Sequence, residues 1–105
     1  MRETTMRYAQ IFRYVLTLNE SEYQERWVKP YADAIAQVPG LVRKTWMADF
    51  ETGTFASVYI WEDKASMDAF MASPAIAKVA AEPFLKDLNI TAIPVQEGAS
   101  LITHG

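Results

Sequence analysis

The chain has 105 residues, half of them hydrophobic, a formal net charge of -3 and no cysteine. That is enough for one domain with a real core and too little for two, and the composition is that of a globular chain rather than a disordered one. The acidic balance and the absence of any basic run argue against nucleic acid as a partner, and zero cysteines exclude disulfides, thiolate metal sites and cysteine nucleophiles.

The chain opens with MRETTMRYAQ, which holds no long apolar run. Neither a signal peptide nor a membrane span is expected there, and a cytoplasmic location is the expectation. Residues 7–18, RYAQIFRYVLTL, are rich in β-branched and aromatic side chains and read as a long first strand. Asn19–Ser21 break it, and Ser21 with Gln24 three residues on fits a capping box. Tyr23, Trp27, Tyr31, Ile35 and Val38 then recur at steps of four and three, the stripe of one helix face. Pro30 lies inside that stripe, so a kink or a fresh helix start is predicted there. Pro39-Gly40 ends the segment.

Residues 41–50 and 54–61 form the second and third strands, joined through Glu51-Thr52-Gly53 as a hairpin. Asp63 is a natural N-cap for a helix over residues 64–72, whose Met67, Phe70 and Met71 make its apolar side. Ser73-Pro74 interrupts it, Ile76, Val79 and Ala80 suggest a further short helical piece, and Glu82-Pro83 breaks the chain again. Residues 88–95 read as a fourth strand whose Pro94 belongs at an edge or strand end. The tail from residue 97 carries the apolar pair Leu101-Ile102 and the only histidine, His104. With that histidine at the end of the chain, metal sites and triads lack their usual central residue. Neither GxGxxG nor GxxxxGK(S/T) occurs, so no metal and no bound cofactor are expected.

The order β-α-β-β-α-β is the ferredoxin-like α+β arrangement: one antiparallel sheet with helices on one face, in a single domain spanning about 7–96 plus tail. The strands carry more apolar surface than one layer of helices covers. On the third strand Phe55, Ser57, Tyr59 and Trp61 share one side, while Ala56, Val58 and Ile60 share the other. A small sheet that is apolar on both faces predicts a second copy packed against the uncovered face, hence a homodimer.

PGLVRKTW followed by a hairpin and then VYIWEDKASMDAFM resembles the dimeric α+β barrel superfamily, and within it the YdhR-like monooxygenases, relatives of the antibiotic-biosynthesis monooxygenases. The resemblance covers residues 8–95, most specifically KPYADAIAQVPG and IWEDKASMDAF. It implies a homodimer with a ligand cavity between each sheet and its helices, and cofactor-free oxygenation of a small aromatic molecule. The family's cavity-lining tryptophan near the end of the third strand corresponds to Trp61, and its asparagine four residues earlier is replaced by Ser57.

From the residues themselves, Tyr59 and Ser57 share the face of Trp61, and their hydroxyls could bind a phenol or quinone oxygen. Lys44 and Trp46 lie on one face of the second strand, Arg43 and Thr45 on the other. A two-residue Thr52-Gly53 loop puts Trp46 beside Tyr59, and a three-residue loop puts Arg43 there instead. Either cation could stabilise a phenolate. Tyr14 and Tyr31 could reach a cavity between the first strand and the first helix. Three functions fit: an oxygenase for an aromatic or quinone-like molecule, a polyketide cyclase or isomerase using the same pocket for enolate chemistry, and a non-catalytic, stress-associated ligand-binding dimer.

Overall fold

The computed structural model describes residues 6–105; residues 1–5, part of the opening stretch read above as free of a leader, lie outside it. Strand β1 (Tyr8–Leu16) leads into a single helical turn α1 (Glu20–Glu22), a π-helical stretch Tyr23–Val28 and helix α2 (Ala32–Ala36). The hairpin β2 (Leu41–Asp49) and β3 (Thr54–Trp61) follows, then α3 (Lys64–Met71), α4 (Pro74–Ala80), β4 (Leu85–Pro94) and a tail helix α5 (Glu97–Ile102). The sheet order is β2-β3-β1-β4 and every pairing is antiparallel, which is the ferredoxin-like topology. No described helix is long and apolar enough to cross a membrane.

The first helical segment begins two residues earlier than the sequence suggests. Asn19 caps it: its side chain accepts from the Glu22 N–H at 2.9 Å while the Glu22 carboxylate accepts from the Asn19 N–H at 3.0 Å. Asn19 is still extended, as a cap must be, whereas Ser21 is already helical, so the Ser21–Gln24 box does not form. Pro30 acts as predicted. It has no N–H to donate and its ring crowds the preceding turn, and the chain widens into π geometry before it, with the Lys29 N–H bonding to the Gln24 carbonyl. The wider turn has a packing consequence. In an α-helix a residue four positions on overshoots a full turn; in a π turn it falls short. Mixing the two keeps the four-residue series Tyr23, Trp27, Tyr31 and Ile35 on one line, and all four are buried.

Both predicted loop geometries of the hairpin are replaced by a third. Asp49 pairs with Thr54 across a four-residue loop, and the Asp49 carboxylate accepts from the Glu51 and Thr52 N–H groups at 3.0 and 3.3 Å. Gly53 sits in the left-handed region at φ 74, where glycine carries no Cβ penalty. An even-length loop keeps the parity of the two-residue alternative but slides the register, so Trp46 faces Ser57 and Lys44 faces Tyr59. Arg43, one of the two cations expected at the site, pairs with Ile60 on the opposite face. The Pro39-Gly40 corner before β2 is fixed by contact. A Cβ on Gly40 would lie 2.1 Å from Ser66 Oγ on α3.

Strand β4 starts three residues ahead of the predicted position because Asp87 forms a bulge. Its φ of 54 and the register shift opposite Arg13 and Val15 break the alternation that would have revealed the strand. Pro94 ends this edge strand, as expected. The covered face holds Phe12, Tyr14, Leu16, Phe55, Tyr59 and Trp61 against Tyr23, Trp27, Ile35, Met67 and Phe70 from the helical segments. Ser57, Tyr59 and Trp61 thus point toward the helices. The other face presents Ile60, Ala9 and Ile93 in one row and Val58 and Ile11 between threonines in the next.

Candidate functional site

A chamber lies between the sheet and the helical layer. Its floor is Phe12 and Tyr14 from β1 and Ser57 and Tyr59 from β3, with Lys44 and Trp46 from β2 at one side. Trp27, Tyr31 and Ile35 wall it on one helical side, and Phe70, Ala75, Ile76 and Val79 close it on the other. The free space inside is about 20 Å³, room for about one water molecule. Next to it an open cleft of about 230 Å³ runs along β2 and α2, and the two share Ile35, Lys44 and Trp46 as a common wall. Lys44 and Trp46 stand on an edge strand and are only half-buried. Their displacement would join chamber and cleft.

The inner end of the site is a closed hydrogen-bond network. The Tyr14 hydroxyl lies 3.0 Å from Ser57 Oγ and accepts from Trp27 Nε1 at 3.2 Å. Tyr31 donates to the Glu82 carboxylate at 2.5 Å. Burial of Tyr14 and Tyr59 disfavours their phenolates and raises both pKa values; for Tyr31, burial and then the neighbouring Glu82 charge do the same. At neutral pH these three phenols are hydrogen-bonding groups, not bases.

The outer end differs. Lys44 Nζ sits 3.3 Å over the Trp46 ring and 4.7 Å from the Tyr59 ring centroid, a cation held by aromatic faces. It has no carboxylate partner among the described residues, whereas Lys29 and Lys64 pair with Glu25 and Asp68 at 2.6 and 2.7 Å. Desolvation pulls the Lys44 pKa down to about 7.

The structure therefore brings together Tyr14, Tyr31, Trp46, Ser57 and Tyr59 of the residues singled out from the sequence. Trp61 is on the expected face but not in the chamber wall. It is fully buried behind Tyr59, which it stacks on at 5.8 Å with a 3° interplanar angle, and its indole N–H donates to Gln10 Oε1 at 3.0 Å. Arg43 is absent from the chamber because of its parity. The chamber-lining residue that sequence reasoning left undecided is Lys44; its signal was parity with Trp46, legible once the loop length was known. Among the described residues no cluster of three His, Cys, Asp or Glu side chains is placed to hold a metal ion.

Residues 10–105 match the family model described as "Putative mono-oxygenase ydhR". No curated protein matches the sequence. Among solved structures, the chain is similar to SnoaB of Streptomyces nogalater, a cofactor-independent oxygenase, at 16% identity and TM-score 0.70, over 87% of this chain and 94% of that one. It is also similar to a "putative antibiotic biosynthesis monooxygenase" of Deinococcus radiodurans, at 18% identity and TM-score 0.70, over 84% and 91% of the two chains. A third is MhuD of Mycobacterium tuberculosis, a heme-degrader with two hemes in its active site, at 18% identity and TM-score 0.64, over 85% and 95%. At these identities the shared property is the fold.

Proposed function

Since the chain belongs to the ydhR mono-oxygenase family, we propose that it is a cofactor-independent oxygenase for a flat phenolic, enolic or quinone-like molecule bound between Tyr59, Trp46 and the helices. The observation that carries this reading is the chamber's chemistry: an aromatic floor, aromatic and aliphatic walls, and the Tyr14–Ser57 pair and one cation, Lys44, turned into it. Aromatic faces stack on a planar ligand, and a cation in a water-poor site stabilises an oxyanion far better than it would in bulk water. SnoaB offers precedent for the chemistry on this fold, and the hemes of MhuD for flat ligands.

The reaction balances without a redox centre in the protein. The substrate loses a proton and becomes an electron-rich anion, which passes one electron to O₂. The resulting radical and superoxide combine to a peroxide, and loss of water leaves a carbonyl, so that a CH₂ group and O₂ become C=O and H₂O. The protein's part is to select the anion, orient it and keep water out.

Oxygen uptake tests this. Purified, chelator-treated protein given anthrone- or naphthol-like substrates should consume oxygen and form the quinone. Turnover without oxygen uptake would favour an isomerase or cyclase instead. Saturable binding with no product would reduce the protein to a ligand-binding role.

The same reading includes a homodimer through the helix-free face, where Ile11, Val58 and Ile60 lie between β2 and β4 and Ile93 is 60% exposed. A contiguous apolar patch of this kind is best buried against its own copy. Sedimentation should give twice the 11.9 kDa chain mass; a stable monomer would remove the dimer from the proposal.

A further inference from the structure

Resting on that reading of the chamber, we propose that Lys44 is the catalytic base: its Nζ takes the phenolic or enolic proton of the bound substrate and remains beside the resulting anion as an ammonium. The bond broken is the substrate's O–H or C–H, the bond formed is N–H, and the pair stays neutral overall.

Three observations converge on this side chain. The first is position, since Nζ lies against two of the ring faces that would sandwich the ligand, Trp46 and Tyr59. The second is the lack of rivals. The other polar groups of the chamber are Ser57 and the three phenols; Tyr14 is engaged with Ser57 and Trp27, and the Tyr31 hydroxyl keeps its proton and donates it in a hydrogen bond to the Glu82 carboxylate. The third is charge. The titratable groups facing Lys44 are Tyr59 on β3 and, across the chamber, Tyr14 on β1 and Tyr31 ahead of α2, and all three phenols stay neutral at ordinary pH. Lys78 on α4 stands on the far side, 5.6 Å from the Tyr31 ring, and Arg43 projects from the other face of β2. Among the described residues nothing anionic holds a proton on Lys44, and burial favours the neutral amine. A lysine tuned in this way is a competent general base near neutrality.

The proposal separates from a plain electrostatic role by proton counting. The probe is 2-naphthol, whose naphtholate absorbs at longer wavelength than the neutral form, studied at about pH 8, where an amine with the Lys44 pKa is mostly neutral and free naphthol keeps its proton. Wild-type protein should bind it as naphtholate with no proton released to the buffer, because the naphtholate beside Lys44 in the water-poor chamber stabilises the ammonium and keeps the proton there. Lys44→Met should bind neutral naphthol, with the bound naphtholate-to-naphthol ratio lower by about tenfold or more, one pKa unit. Lys44→Arg, a fixed cation of similar reach, should bind naphtholate and release one proton per ligand. Proton release by the wild type, or naphthol bound neutral in both wild type and Lys44→Met, overturns the base while leaving the pocket standing. No binding by any form overturns the pocket reading and the base with it.

Discussion

Two tryptophans lie on the covered face of the sheet, Trp61 behind the chamber and Trp46 in its wall, and they are held in opposite ways. Trp61 is fully buried, its indole N–H satisfied by Gln10 and its ring fixed between Tyr59 and Phe70. Trp46, on the edge strand β2, is half-buried, and Lys44 Nζ lies 3.3 Å over its face. The inner region has its polar groups paired within the protein, and a paired buried group has little left to offer a ligand. The outer region has, among the described residues, a cation without an anion, and its two side chains stand half-buried on an edge strand. Stability is invested at the first end and chemistry at the second.

Substitution at Trp61 should give the largest effect. Trp61→Ala removes a fully buried aromatic and leaves Gln10 without its partner, so urea unfolding should show a loss of about 3–5 kcal/mol. A small loss would mean that Trp61 is a replaceable cavity wall, and the contrast with Trp46 would collapse. Next is Tyr14→Phe, which strips Trp27 Nε1 of its acceptor and Ser57 of its partner at almost constant volume. It should cost about 1–3 kcal/mol of stability, and a neutral result would show that the inner network is already open to water.

At the outer end the ordering reverses. Trp46→Ala should lower stability by only about 1 kcal/mol, roughly half of a full aromatic burial, yet weaken 2-naphthol binding by about 0.5–1.5 kcal/mol through the lost stacking face. Calorimetric titration of that variant sharpens the comparison. If Trp46→Ala unfolds as readily as Trp61→Ala, the edge is as structural as the core.

The last comparison is a pH trend. Lys44 titrates at about 7 in the folded chain against an ordinary 10.5. Between those values the unfolded chain binds the extra proton, so unfolding free energy rises with pH across that window, while below pH 7 the penalty for burying the ammonium stands in full. The stability of the wild type relative to Lys44→Met should therefore improve from about pH 7 toward 10. Lys64, whose ammonium is paired with Asp68 on the surface, should show no such trend in Lys64→Met. A flat wild-type curve would mean that Lys44 is hydrated and the outer end carries no special charge.

Much of the architecture was legible in the residues. Period-2 alternation on β3 put Ser57, Tyr59 and Trp61 on one side, and the four-residue series from Tyr23 to Ile35 marked the helical face that covers them. Those patterns hold because each buried side chain must share a face with its neighbours, a local requirement written into spacing. The family resemblance pointed to the same layers. It also pointed to Trp61 as a cavity wall, and there the structure differs, since Tyr59 and Phe70 stand around its ring.

What the spacing could not carry was decided by pairing across strands. Asp49 folding back on the Glu51 and Thr52 amides made the hairpin loop four residues long, and that one length turned Lys44 inward and Arg43 outward. Asp87, which reads as a turn residue, became a bulge only because β1 was there to pair on both sides of it. The unusual state of Lys44 has the same origin. A lysine beside a tryptophan in sequence is an ordinary cation; its charge becomes costly only when Tyr59 and the helices remove its water, and desolvation belongs to the packed fold and not to any stretch of chain.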